Sequence, residues 1–222
     1  MRRLPKKYEK IYREFYLDYS NANNFFRKLS LLIERWYHLQ AYKGRPKANS
    51  ILEIGAGNLN HVKFEKSFIF YDVIEPKDYL VNSAEDKYKL LIRNKFKDIS
   101  EIPEIYSYDK IIAIAVIEHI QDLSTLLNEV SKRLNSDGIF LIEIPAEGEF
   151  LWWLGWRLTT GIGFWLKYKL DYGVILRYEH VNNVDQIFKE IRKFFYVQKV
   201  KSFPFDFKNG RLYIHIECKK FK

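Results

Sequence analysis

From Ile51 onward, short apolar runs alternate with amphipathic stretches, the order that a sheet covered by helices on both faces requires. Runs at Ile51–Gly55, Phe68–Glu75, Lys95–Asp98, Lys110–Val116 and Ile139–Ile144 predict five strands. They are apolar on both sides of the pleat rather than alternating, so the strands are expected to be parallel and buried on both faces. Between the last two, Leu123, Leu126, Leu127, Val130 and Leu134 recur at helical spacing, with Asp122 as N-cap and Gly138 just past the end. Val184, Ile187, Phe188 and Ile191 predict a further helix, followed by strands at Phe195–Phe203 and Leu212–Cys218. The FKNG turn between those strands is too short for a crossover, so that pair must be antiparallel. Upstream, Tyr8, Ile11, Tyr12, Phe15 and Tyr19 share one helical face, and Phe26, Leu29, Leu32, Ile33 and Trp36 share another. Gly44 and Pro46 then break the pattern. The expectation is a helical appendage or lid at residues 1–49 and one α/β domain at 50–222, with an aromatic insertion at about 148–180.

Composition narrows the picture modestly. A chain of 222 residues, 47% apolar and 29% charged, suits one substantial globular domain. No apolar run is long enough for a membrane span, and the basic start MRRLPKKYEK has no apolar stretch behind it. A cytoplasmic location is therefore expected. Cys218 is the only cysteine, which excludes an intramolecular disulfide and argues against a cysteine-based zinc site. The formal net charge of +9 favours phosphate-bearing partners, whether nucleic acid, anionic lipid or a nucleotide-linked molecule, without choosing among them. Lysines on solvated faces account for the same charge.

The chemistry concentrates at the ends of the predicted strands. EIGAGNLN follows the first strand, and Gly55 and Gly57 let the backbone approach a ligand where a Cβ would collide. A dinucleotide fingerprint would carry a glycine at position 60, where Asn60 stands. The second strand ends in YDVIEP, which places Glu75 to accept hydrogen bonds from two ribose hydroxyls, with Asp72 as the weaker candidate. This arrangement resembles motif I of class I S-adenosylmethionine-dependent methyltransferases, and EHIQD, with Glu118, His119 and Asp122, resembles the element after the fourth strand of the small-molecule and glycan branch. The resemblance covers about Ser50 to Pro145. It implies a Rossmann-like fold with a seven-stranded, mostly parallel sheet, and S-adenosyl-L-methionine as cofactor. It further implies that Glu53, Gly55, Ala56 and Gly57 surround the methionine portion, with Glu53 orienting its amino group, while Asn60, also a cofactor-binding candidate, departs from the family's third glycine. Glu75 and Pro76 would meet the ribose and Asp98 the adenine amino group, with Ile99, Ala115 and Val116 as further cofactor-binding candidates. A dehydrogenase or nucleotide-sugar enzyme shares the fold but not the EHIQD stretch.

Methyl transfer from a sulfonium is an in-line displacement, so holding donor and acceptor aligned is the main task. For a hydroxyl acceptor a neutral histidine suits proton removal, which makes His119 the first candidate and His180, with Glu179 as its orienter, the second. A structural role for His119, as a helix cap or pocket wall, fits equally. His38 is read as a helix-surface residue, His61 as a loop neighbour and His215 as non-catalytic. Trp152, Trp153, Trp156 and Trp165 fit three roles: a lid stacking on a sugar or aromatic acceptor, a peripheral membrane patch beside Arg157, Lys167 and Lys169, or core packing. Tyr16 or Tyr19 would complete the lid. The expected function is O-methylation of a small molecule or glycan. The alternatives are an RNA methyltransferase, favoured only by charge, and a cofactor-binding protein without catalysis that acts as a partner subunit or membrane-surface adaptor.

Overall fold

The computed structural model describes residues 4–9, 11, 12 and 25–221. Residues 6–9, 11 and 12 are helical, and a long helix α1 (Phe25–Gly44) leads to the sheet. The strands are β1 (Ser50–Ile54), β2 (Phe70–Ile74), β3 (Asn94–Phe96), β4 (Tyr108–Ile114), β5 (Leu134–Pro145), β6 (Phe195–Pro204) and β7 (Arg211–Lys220). Between them lie α2 (Asp78–Asn82), α3 (Asp86–Lys89), α4 (Leu123–Arg133), α5 (Phe150–Trp156), α6 (Ile162–Tyr168), α7 (Gly173–Glu179) and α8 (Val184–Phe194). The order across the sheet is β3-β2-β1-β4-β5-β7-β6. Pairing is parallel from β3 to β5, and β7 runs antiparallel to both β5 and β6. This is the Rossmann-like arrangement, with its strand order reversing direction between β1 and β4, where open α/β sheets bind their ligands.

One core lies between the sheet and helices α4 and α8, formed by Leu52, Ile54, Ile111, Ala113, Phe140, Ile142, Leu127, Val130, Ile187 and Ile191. Helix α4 begins as expected, with Asp122 accepting a hydrogen bond from the Thr125 amide. Its end differs: Leu134 is already extended, and Gly138 lies within β5 rather than capping the helix. The chain thus turns directly from helix to strand, with a register shift against β4 absorbing the extra residues. Helix α8 is held by a reciprocal cap between Asn183 and Gln186.

The opposite face departs further from expectation. No α-helix follows β1; a single 3-10 turn, Val62–Phe64, stands there, and α2 and α3 are one turn each. That face is filled by Ile51, Tyr71, Val73 and Ile112 from the sheet, by Leu59 and Val62, and by Ala41 of α1. Leu32 is 61% exposed, so α1 docks by its later turns, through Tyr37, His38 and Ala41, and of the apolar stripe Trp36 packs against Phe203 with ring centroids 5.7 Å apart. His38 is accordingly buried, not a surface residue: its Nδ1 lies 3.0 Å from Nδ1 of the equally buried His61. His61 Nε2 contacts Glu65 at 2.8 Å, and Lys110 closes the network on the same carboxylate at 2.5 Å. A buried lysine is tolerable only with such a partner. Phe15, Tyr16 and Tyr19 lie outside the described residues.

Candidate active site

Every crossover on the parallel part of the sheet leaves a loop at the strand tips, and these loops enclose a cavity of about 890 Å³. That is within the range of small-molecule sites. The β1 loop forms its floor. Gly55 has φ +68° and a Cβ there would sit 2.2 Å from Val116 Cγ2, so both conformation and space require glycine. Gly57 has φ +53°, and nothing lies within 4 Å of where its Cβ would be. The loop is pinned to the neighbouring strand by Gly55 and Ala56 amides donating to the Ile74 carbonyl at 2.8 and 3.2 Å. Glu75 completes this pinning. Its Oε2 accepts from the Gly57 amide and its Oε1 from the Lys77 amide, each at 2.9 Å. Each oxygen keeps a second lone pair, so the carboxylate is fixed in place with acceptor capacity to spare.

Asp98 sits at the tip of β3, where it caps a 3-10 turn by accepting from the Ser100 amide and hydroxyl at 2.9 and 2.6 Å. These bonds hold its carboxyl below its usual pKa. Pro76 and Ile99 line the same end of the cavity. On the β4 side, Ala115 adopts φ +51°, a left-handed conformation rare for a residue with a side chain, and lines the wall with Val116. Glu179 also lines the cavity. Three anticipated residues do not. Glu53 is buried beneath the loop and accepts from the Tyr71 hydroxyl at 2.7 Å, and burial pushes its pKa up to about 8. Ala56 and Asn60 are not among the residues that line the cavity. Asp72 is wholly structural, bound to Arg93 and to the Tyr108 hydroxyl.

His119 follows β4 in a 3-10 turn, Ile117–His119, and lines the cavity. Asp122, not His119, caps the next helix. His119 Nδ1 lies 3.0 Å from the Glu179 carbonyl oxygen, so Nδ1 carries the proton and Nε2 holds the free lone pair. Burial, then the neighbouring His180, lower its pKa and keep it neutral near physiological pH. His180 stands edge-on to it, ring centroids 4.7 Å apart. Its Nδ1 is hydrogen-bonded to Glu147, which takes the orienting role expected of Glu179. Burial alone would lower the His180 pKa, but the Glu147 hydrogen bond and charge raise it on balance. Glu118, 2% exposed, has its pKa pushed up to about 7 by burial.

The turn and the 180–182 segment are stitched together. Val181 and Asn182 amides donate to the Glu118 carbonyl at 2.9 and 3.1 Å, and the Asn182 side chain donates to the carbonyls of Ile117 and Ile120 at 3.1 and 2.6 Å. Tyr12 reaches over from the N-terminal helix and donates to Glu179 at 2.7 Å, lining the cavity with Tyr178. The amphipathic stripe contained Tyr12, but nothing in its spacing marked that one residue.

A second cleft of about 510 Å³ opens beside Glu147 and is lined by Trp152, Trp153 and Trp156. Trp152 stands 6.1 Å from His180, and Arg157 stacks 4.6 Å over Trp153. Helices α5 and α6 form one continuous run joined by a π turn, Arg157–Gly161, on which Leu158, Ile162, Trp165 and Leu166 are exposed.

The fold and a cavity at the reversal of strand order define a Rossmann-like α/β enzyme domain. A family model described as a methyltransferase domain matches residues 25–172, and the chain belongs to that family; it is an S-adenosylmethionine-dependent methyltransferase. Among solved structures it is similar to the N-methyltransferase NodS from Bradyrhizobium japonicum WM9 in complex with S-adenosyl-L-homocysteine, at 14% identity over 98% of this chain and 100% of that one, TM-score 0.64. It is also similar to an S-adenosylmethionine-dependent methyltransferase from Clostridium acetobutylicum, at 12% identity over 97% and 99%, TM-score 0.58. The CurJ carbon methyltransferase matches at 20% identity over 83% of this chain and 52% of that one, TM-score 0.55. At such identities the likeness is one of fold. No curated protein matches the chain by sequence.

Proposed function

We propose that the enzyme methylates an oxygen of a small-molecule or glycan acceptor, with the donor lying across the β1 and β2 tips and the acceptor between His119 and the tryptophan cleft. The cavity suits the donor: Gly57 offers a cradle that a Cβ would fill, and Glu75 presents a fixed, unsaturated acceptor to the ribose hydroxyls. S-adenosylmethionine supplies the electrophilic methyl group. Asp98 and Ile99 receive the adenine end, and Ala115 and Val116 form the wall beside it.

The observation that carries the oxygen assignment is the His119 tautomer. A neutral imidazole on a cavity-lining residue, fixed by its Nδ1 bond to the Glu179 carbonyl, keeps a basic Nε2 that can take a hydroxyl proton. His180, held by Glu147, stands next to it and orients the same acceptor. Trp152, Trp153 and Trp156 offer flat apolar faces for a sugar or aromatic ring. Screening hydroxyl-bearing glycosides and phenols with methyl-labelled donor tests this reading. Label on a hydroxyl oxygen, lost on His119→Asn with S-adenosylhomocysteine affinity retained, is the expected result. Label appearing only on nitrogen or carbon acceptors overturns it.

A second reading concerns where the acceptor resides. Exposed Leu158, Ile162, Trp165 and Leu166, beside Arg157, Lys167 and Lys169, support contact with an anionic membrane surface. Among the described residues no helix is long and apolar enough to cross a membrane. Co-sedimentation with anionic but not neutral vesicles, abolished by Trp165→Ala with Leu166→Ala, is the matching test.

A further inference from the structure

We propose that Glu118, His119 and His180 form a binding site for one divalent first-row transition-metal ion, open toward the donor cavity. One ligand atom from each of the three lies within 4.8 Å of the others. Two ligands of one small ion stand at most about 4.2 Å apart when each bond is about 2.1 Å, so modest side-chain rotations close the site. Two imidazoles and a carboxylate with an open position form the set that catalytic zinc sites use, and they also suit iron.

Three observations point to a ligand rather than to a hydrogen-bonded cluster. Glu118 is buried, yet its Oε2 has no hydrogen-bond partner, an arrangement that costs stability unless something else meets that oxygen. Its other oxygen stays 3.9 Å from His119 Nε2, too far for a hydrogen bond. Both histidines also carry the outer support that metal-ligating imidazoles need: Nδ1 of His119 donates to the Glu179 carbonyl and Nδ1 of His180 to Glu147, so each Nε2 is the available ligand atom. The backbone bonds between Glu118 and the 181–182 segment fix the two halves of the site before any ion arrives.

The consequence for catalysis rests on the acceptor reading above. An ion here would leave its open position to the acceptor oxygen, orient it and make its hydroxyl more acidic, with His119 then holding the ion rather than the proton. This selects acceptors that offer an oxygen, such as an alcohol or phenol.

The test is titration of untagged, chelator-treated full-length protein with Co²⁺ alone, followed by calorimetry and by the visible absorption of the bound ion. One ion per chain is expected, with affinity falling more than about 10-fold in Glu118→Gln, His119→Ala and His180→Ala, and about 10-fold in Glu147→Gln, which removes only outer support. His119 is exposed, so its variant reports on the site even if a change at buried Glu118 unfolds the chain. Absence of saturable Co²⁺ binding by the wild type, or undiminished binding by His119→Ala, overturns the proposal. S-adenosylhomocysteine titration of the same samples keeps the two readings apart: intact donor binding without metal leaves His119 as a base and removes only the ion.

Discussion

The two halves of the cavity are built differently. On the β1–β2 side, backbone amides and one carboxylate make the wall, and the bonds that tie the loop to β2 span only 18 positions from Gly57 to Glu75 and 19 from Gly55 to Ile74. On the β4–β5 side, side chains do the work and are oriented by distant partners: His119 by the carbonyl of Glu179, 60 positions away, and His180 by Glu147, 33 positions away. A donor common to a whole family can be gripped by backbone geometry that tolerates much sequence change. An acceptor particular to one enzyme needs specific side chains, placed by whatever elements lie near.

The first way to break this division is at His119. With an oxygen acceptor in hand, His119→Asn should lower turnover by roughly 10²- to 10⁴-fold, while S-adenosylhomocysteine affinity in calorimetry stays within about twofold. A parallel loss of donor affinity would show that the halves are not separable. The donor side should fail differently. Gly55→Ala combines a left-handed φ with overlap on Val116, so urea unfolding should show a loss of about 3–5 kcal/mol, from strain and overpacking together. Gly57→Ala meets no neighbour and should lose only about 1–2 kcal/mol.

Glu53 sharpens the comparison from beneath the loop. Its folded pKa, about 8, lies above the value of about 4.3 for an exposed glutamate, so the folded state binds the proton more tightly. The stability associated with protonated Glu53 is complete at low pH and is lost as pH rises from about 5 through 8, with a slope of up to about 1.4 kcal/mol per pH unit. Glu53→Gln keeps an acceptor for the Tyr71 hydroxyl and should flatten that slope in urea unfolding at pH 5 and 8. An unchanged slope would place the titrating group elsewhere.

The same division explains what could be read before the structure. Gly55, Gly57 and Glu75 lie on consecutive strand-tip loops, so strand periodicity was enough to bring them together; the succession of strands along the chain followed from apolar runs, and the antiparallel closing pair from one tight turn, whereas the order across the sheet did not. Glu147 as the partner of His180 was not legible, because PAEGEF and RYEH meet only after the aromatic insertion folds back along the sheet. The expected orienter, Glu179, was the sequence neighbour, and chain proximity misled. His38 escaped for a related reason: α1 replaces the missing crossover helix after β1, so its docking face lies nearer its end than the apolar stripe suggested. Glu53 matched a motif, yet its pleat direction turns it to Tyr71 rather than into the cavity lining.

The central claim is that the donor sits against Glu75 and the glycine bend. Calorimetric titration of S-adenosylhomocysteine into the wild type and Glu75→Ala tests it most directly. One site per chain is predicted, weakened by about 1–3 kcal/mol, roughly 5- to 150-fold, when the doubly anchored carboxylate is removed. Equal affinity in both proteins, or saturable binding of a nicotinamide dinucleotide in its place, would contradict it.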